Sequence, residues 1–370
     1  MIQHLSIKHK VTVISIVRSE QEAIEGEGIK DYCNKHIMVK LDDKISWLRA
    51  ILNLFSLKPS SFGYFYSPKM SKVINSEFTK HHYDLIFVHC SSVAPYVEQF
   101  KSIPKIIDFG DMDSQKWLDY SKFKPFPLSL GYRLEGVKLE AEEKRLAKLF
   151  TYSSCTTRAE LETLMSYSVT TNTFWFPNGV NYDYFKPSNN AYIKNTICFI
   201  GRMDYYPNQE CMFYFCKYVF TKVKEKIADA KLTIVGANPS KKILELAKLN
   251  GIKVTGSVDD VRPYVLSSAV NVAPLNIARG TQNKILESMA MGVPVIASPL
   301  AAKGIDAIAG EHLLVADSTD EYVDAILYLF NNHIERQRLS IQGRARMLSH
   351  HDWEHSMQQL DVLINKCISV

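Results

Sequence analysis

The densest run of chemistry-bearing residues is Arg279-Gly280-Thr281-Gln282-Asn283-Lys284-Ile285-Leu286-Glu287. It reads as a loop that opens a helix. The first turn of a helix carries unpaired N–H groups and the positive end of the dipole, which suits a diphosphate. Gly280 lets the backbone approach an anion closely, and Arg279 and Asn283 stand beside it. Lys284 adds a full charge one turn in. Glu287 follows three residues later on the same helix face, where its carboxylate could accept both hydroxyls of a ribose. Spacing alone leaves an equal alternative, a capped helix with a Lys–Glu pair on its surface. A second candidate is Gly201-Arg202, at the end of the apolar run Thr196–Ile200. Arginine forks onto phosphate oxygens in bidentate fashion; the alternative is a surface arginine on a turn.

Earlier in the chain, His89 ends the run Leu85-Ile86-Phe87-Val88, and Asp111-Met112-Asp113 follows Lys105–Phe109. Two carboxylates without further oxygen ligands are a poor set for a divalent cation, so no metal is expected. Asp111 and Asp113 read either as contacts to a second substrate or as caps of the helix carrying Lys116-Trp117. His89 reads as a contact of the same kind or as a solvated strand-end histidine. The pairs His81-His82 and His350-His351 read as surface residues.

These groups need elements to hold them, and the chain supplies short apolar runs alternating with helical patterns. Strands are expected at Val11–Val17, Asp84–His89, Lys105–Asp108 and Lys148–Tyr152, then at Thr196–Ile200, Lys231–Val235, Lys253–Thr255, Val270–Ala273 and Pro294–Ala297. Helices are expected at Asn208–Glu225, Lys241–Leu249, Asp260–Ser267 and Gln282–Met291. Strands separated by crossover helices mean parallel, doubly wound sheets, with ligands beyond the strands' carboxyl ends. A linker is expected at Phe176–Val180 and Tyr184–Asn190, rich in Pro, Gly and Asn. It separates a first domain, 1–180, from a second, 181–351, and a last helix, 352–370, closes the chain.

Composition agrees with two ordinary domains. The chain has 370 residues, 46% hydrophobic and 22% charged, which excludes a disordered or fibrous protein. Its formal charge of +5 is too mild to argue for nucleic acid. The seven cysteines form no CxxC, so reduced thiols and a cytoplasmic location are expected. The start of the chain lacks a signal-peptide pattern.

Taken together, Asp108–Trp117, Pro177-Asn178-Gly179-Val180, Gly201–Tyr205, Val261–Tyr264, Ala273-Pro274-Leu275, Arg279–Pro294, Gly304–Ala307 and Asp352-Trp353-Glu354 resemble a retaining glycosyltransferase of family 4. The likeness spans roughly residues 5–365. It is nearest to the sugar transferases of PEP-CTERM/exosortase exopolysaccharide systems. The resemblance implies the GT-B fold, an α/β architecture of two Rossmann-like domains facing across a cleft. The second domain would bind a nucleotide-diphosphate sugar, and the first a saccharide or lipid-linked acceptor. It implies no cofactor and no metal, with Arg202 and Lys284 neutralising the leaving diphosphate. Gly201, Arg279, Gly280, Asn283 and Glu287 would hold the donor, Glu287 at its ribose. His89, Asp111 and Asp113 would lie on the acceptor side, and Asn178-Gly179 would supply the hinge.

The chain departs from the family in three places. Arg279 stands where the family's first paired glutamate falls, as in the named branch. Tyr205–Asn208 occupy a stretch that often carries a second basic residue. Met1–Leu5 already resembles the helix that follows the family's first strand and glycine-rich loop, so the start is expected to be late. Two rivals keep the fold: a degenerate protein that binds nucleotide sugar or a partner transferase, and a nucleotide-sugar 2-epimerase.

Residues 44–80 carry an apolar stripe of Trp47, Leu48, Ile51, Leu52, Leu54 and Phe55 among basic residues, with Glu77 the one acid. The expectation is a helix packing that stripe on a sheet. The alternative is peripheral contact with the inner membrane face.

Overall fold

The structure is a computed structural model that describes residues 1–188 and 191–369. Asn189 and Asn190, the tail of the expected linker, and Val370, the last residue of the expected closing helix, lie outside the described residues. The chain divides into two compact units. One is Met1–Phe176 together with the chain from Met357 onward; the other is Pro177–Ser356.

The second unit is built on β7 to β12, which form one parallel sheet in the order β12-β11-β10-β7-β8-β9. In chain order these are β7 (Thr196–Ile200), β8 (Lys231–Val235), β9 (Ile252–Val254), β10 (Val270–Ala273), β11 (Val295–Ala297) and β12 (Leu314–Val315). The chain lays β7 to β9 outward on one side, then returns to β10 beside β7 and winds the other way. The order therefore reverses between β7 and β10, where loops splay apart and ligands bind in such sheets. Ile197, Cys198, Phe199, Val270, Val272 and Ala273 are fully or almost fully buried, as strands covered on both faces must be.

The first unit carries two parallel sheets. One pairs β1 (Thr12–Val17) with β2 (Lys35–Lys40). The other runs β3 (Ile86–His89), β4 (Lys105–Asp108), β5 (Tyr152–Cys155) and β6 (Thr173–Trp175), in that order. The last helix, Trp353–Ile368, delivers Met357, Leu360, Leu363, Ile364 and Cys367 to a core with Ile106 and Phe176. The opening helix, Ile2–Lys8, is held to it by His4 and Lys8 on Asp361, at 2.9 and 2.6 Å.

Four expectations are corrected. No strand forms at Lys148–Tyr152, because Leu128–Leu149 is one helix and β5 begins only at Tyr152. Leu139, Glu143, Leu146 and Ala147 are buried at helical spacing, and a short apolar run at a helix end does not by itself declare its period. Asp111 and Asp113 do not cap the helix Asp113–Lys122, whose N-cap Met112 offers no side-chain bond. Buried carboxylates from elsewhere do that work: Glu160 accepts from Met112 N at 3.0 Å and Glu143 from Ser114 N at 2.8 Å. The stripe of residues 44–55 packs on no sheet. The helix Asp43–Leu54 buries only Ser46 and Ala50 and lies against helix Ser60–Phe65.

The fourth correction is His351, which is buried rather than on the surface. Its Nδ1 lies 3.0 Å from Asn178 O, and its Nε2 accepts from Asp306 N at 3.1 Å. Val180 N donates to His351 O at 2.8 Å. Within the second unit, the Asn178–Val180 segment is thus pinned beside the segment that opens the last helix. Gly179 makes this approach possible: a Cβ there would fall 2.6 Å from both the Trp353 amide nitrogen and the ring carbon Cγ. Gly179→Ala is expected to destabilise the protein by about 1–3 kcal/mol, the usual effect of overpacking, read as a lowered thermal unfolding temperature.

Candidate functional site

The two strands at the reversal point carry the two loops singled out in the sequence. β7 runs into Gly201-Arg202, and β10 leads through Arg279-Gly280 into the helix Asn283–Ala290. The sheet alone therefore brings together groups about eighty residues apart in the chain.

Lys284 is at the centre. Its ammonium donates to Asn208 Oδ1 at 2.6 Å and lies 4.6 Å over the Phe199 ring. Asn208 Nδ2 in turn donates to the Arg202 carbonyl at 2.8 Å. One carboxamide thus ties the turn after β7 to the helix after β10. Gly201 is needed for this approach, since a Cβ there would sit 2.8 Å from Asn208 Nδ2 and 3.1 Å from Lys284 Nζ. The helix itself is anchored from below. Asn271, buried in β10, donates to Ser288 Oγ, which donates to Lys284 O, both at 2.7 Å.

Burial pulls the Lys284 pKa down to about 8, against a small opposing pull from Cys211 and Glu287. Burial pushes Glu287 up to about 7, with Lys284 pulling it back. Among the described residues the Glu287 carboxylate accepts no hydrogen bond. Both groups carry unfavourable desolvation that a ligand with phosphates and hydroxyls would relieve.

The helix opens without a side-chain cap at Gln282. Gly280 adopts φ 61°, and the Thr281 hydroxyl is buried with no partner among the described residues. Arg279 is half-buried, its carbonyl accepting from Gln282 Nε2 at 3.0 Å, and Asn283 is exposed at the first helical position. Arg202 is 71% exposed and forks onto Asp204 at 3.1 and 2.7 Å. A phosphate would have to take the place of that carboxylate. Sequence reasoning missed Asn208 and Thr281. Asn208 was read as an absent basic residue, and its neutral amide gave no sign of bridging two loops.

The first unit holds a second cluster. β3 and β4 end side by side, with His89 in register with Asp108. His89 Nδ1 lies 2.9 Å from Asp108 Oδ2. The other carboxylate oxygen accepts from Ser154 Oγ at 3.0 Å and Gly110 N at 3.3 Å. The bond to Asp108, then one to Cys90, raises the His89 pKa to about 10. The pairing with Asp108 favours the imidazolium form of His89, whose side chain is 58% exposed. Burial raises the Asp111 pKa; Lys116 and His89 counter it. Asp113 instead turns along its helix to Lys116 at 3.2 Å. The structure thus gathers His89, Asp108 and Asp111 and leaves Asp113 aside. Asp108 was not singled out, although its place at a strand's carboxyl end was a usable signal. Among the described residues no group of three or more His, Cys, Asp or Glu is placed to hold a metal ion.

Residues 194–332 match the family described as glycosyl transferases group 1. No curated protein sequence matches the chain. Solved structures resemble it at low identity. Sucrose-phosphate synthase from Thermosynechococcus elongatus is 15% identical with a TM-score of 0.69, over 97% of this chain and 99% of that one. Anabaena Alr3699/HepE, crystallised with UDP and glucose, is 13% identical with a TM-score of 0.70, over 98% and 94%. TarM is 14% identical with a TM-score of 0.64, over 80% of this chain and only 58% of its own. The fold is that of the GT-B glycosyltransferases, and the matched domain is the one that carries the Lys284 site.

The Asp108 bond makes a direct prediction. A raised folded pKa stabilises the protein fully below the ordinary histidine pKa, and that stability is lost as pH rises through about 10. In Asp108→Asn the imidazolium loses its partner. NMR titration should then find His89 deprotonating near the usual ~6.5 instead of staying charged through the neutral range.

Proposed function

We propose that the chain is a retaining glycosyltransferase of family 4. It moves a sugar from a nucleotide-diphosphate donor to a saccharide or lipid-linked acceptor in the building of exopolysaccharide or another cell-surface glycan. The observation that carries this reading is the partly buried Lys284 ammonium, held by Asn208 at the mouth of an uncapped helix and at the sheet's reversal point. HepE, solved with UDP and glucose, supports a nucleotide-sugar donor here.

In this reading the diphosphate lies against the helix amino terminus, beside Gly280 and Asn283. Lys284 donates to it, and Arg202 exchanges Asp204 for a phosphate oxygen. The two cations stabilise the negative charge that grows as the glycosidic bond breaks, with no resident metal or cofactor. Arg279 stands at the sugar end and Glu287 accepts the ribose hydroxyls. Asn208 is a positioning residue, since it acts through Lys284 and Arg202. His89, with Asp108 and Asp111, contacts the acceptor. Asn178-Gly179 marks the hinge between a first domain of about residues 1–180 and a second of about 181–351. A lipid-linked acceptor places the reaction at a membrane face.

The first test is thermal stabilisation by UDP, GDP, ADP and dTDP, with and without divalent cation. One nucleotide at about a hundredfold its Kd should stabilise the chain by about 2.7 kcal/mol. That shift should vanish in Lys284→Ala, which loses a charge-assisted bond and about ten- to hundredfold in affinity. No shift with any nucleotide overturns the reading. Glu287→Ala should weaken donor binding through the ribose, and unchanged affinity removes that role.

Affinity should also depend on pH. The bound diphosphate favours the ammonium, so the complex holds its proton above pH 8 where the free protein begins to lose it. Isothermal titration should find affinity falling above pH 8, up to about tenfold per unit. Lys284→Arg should abolish that limb.

A further inference from the structure

A cavity of about 230 Å³ opens at the other end of the second unit's sheet. The strands of that sheet are parallel, so their amino ends lie together, opposite the loops that carry Lys284. Ser268 and Ala269 line the cavity just before β10, and Pro294 just before β11. Met291, Gly292 and Val293 line it as they leave the carboxyl end of helix Asn283–Ala290. Lys284 stands at the amino end of that helix, roughly 10 Å away along its axis. The cavity is therefore separate from the candidate donor site, although one helix borders both.

A single helix builds its polar wall. His333, Arg336, Gln337 and Ser340 line the cavity and stand at i, i+3, i+4 and i+7 of helix His333–His350, the spacing that gives four residues one face. Arg336 decides the chemistry. It is only 7% exposed, and buried guanidinium groups are ordinarily paired with an acid. Among the described residues no carboxylate pairs with it. Its Nη1 donates to Leu329 O at 3.5 Å, a long bond, and the Tyr192 ring lies 3.6 Å from the guanidinium carbon. Neither contact carries negative charge. Burial lowers its pKa, with Tyr192 pulling it back, the mark of a desolvated cation without a counterion.

The cavity does not supply that counterion. None of the described residues lining it is Asp or Glu. The neighbouring acid in the chain, Glu335, is taken by Arg338 at 2.6 Å. Arg336 also lies in the first turn of its helix, where the dipole favours an anion. Around the guanidinium fork, the Ser340 hydroxyl, the Gln337 amide and the His333 ring can donate from several directions. Such a set suits a tetrahedral phosphate. Gly292 keeps the space open: at its φ of 71° a Cβ would fall 3.0 Å from Ser340 Oγ and 3.7 Å from Pro187 Cγ.

We propose that this cavity is a second phosphate-binding site, anchored by Arg336. Its volume is below the roughly 300 Å³ at which ordinary ligand pockets begin. It therefore takes free phosphate or the phosphate of a short ester, and not a nucleotide sugar. The inference goes beyond the transferase reading and does not rest on it, because none of these residues belongs to the Lys284 site.

The test is isothermal titration of the full chain with glycerol 3-phosphate, inorganic phosphate, acetate and glycerol. Both phosphates should bind saturably, acetate at least about tenfold more weakly, and glycerol not at all. Tighter binding of the ester names an ester as the ligand and equal binding names the free anion; either result sustains the site. A phosphate could also enter the Lys284 site, so the titrations are repeated in Lys284→Ala, where affinity should stay within about twofold. Arg336→Gln should bind at least about tenfold more weakly. Because Arg336 is buried, Gln337→Glu is the second variant. Gln337 is exposed, so thermal unfolding should match the parent, while the added carboxylate should cut phosphate affinity at least about tenfold. Four results overturn the inference: no saturable binding of either phosphate, binding lost in Lys284→Ala, unchanged affinity in Gln337→Glu, or acetate binding as tightly as the phosphates. A chain that binds phosphate here but shifts with no nucleotide would sink the transferase reading and leave this site standing.

Discussion

The candidate donor site depends on one carboxamide. Asn208 accepts from the Lys284 ammonium and donates to the Arg202 carbonyl, joining the two loops that leave adjacent strands at the reversal of the sheet. An amide suits this place because it offers an acceptor and a donor in fixed geometry and adds no charge. A basic residue would repel Lys284, and a carboxylate would neutralise it before any phosphate arrived. The desolvated ammonium is stabilised enough to be held in one position and not enough to be content there, as the lowered pKa records. Gly201 leaves the space, and the chain from Asn271 through Ser288 fixes the helix beneath.

The first unit uses buried carboxylates in a comparable way. Asp108 orients His89 and favours its charged form, while also receiving Ser154 and the Gly110 amide. Glu160 and Glu143 supply the bonds that the next helix's own N-cap does not. Each spends its negative charge on backbone amides, which is why the turn carrying Asp111 is held from both ends. Burial pushes Glu143 up to about 7, with the bonds from Ser114 and Tyr167 restraining the rise. The rigidity of this turn thus rests on groups far along the chain.

The basic apolar helix shows how the same residue pattern serves two fates. An amphipathic stripe fixes which residues share a face, but not whether that face turns inward. Here the small residues Ser46 and Ala50 are buried, and the large apolar residues are left outside.

Much of the second unit was legible in the chain, because buried parallel strands are continuous apolar runs and the loops after them carry Gly, Arg and Lys at helix starts. The chain alone determined that Lys284 and Glu287 share a face and that Gly201-Arg202 ends a strand, since both follow from local periodicity. Local periodicity did not reveal that β7 and β10 are neighbours, that Asn208 bridges their loops, or that Asp108 pairs with His89. Nor did it reveal that His351 is buried against Asn178, or that the helix Leu128–Leu149 takes the first two residues of the run expected to be a strand. Each of those is a long-range contact between residues whose types are ordinary in isolation. Only the tertiary structure decides them, because desolvation and hydrogen-bond geometry exist once distant segments have been brought within a few ångströms, and not before.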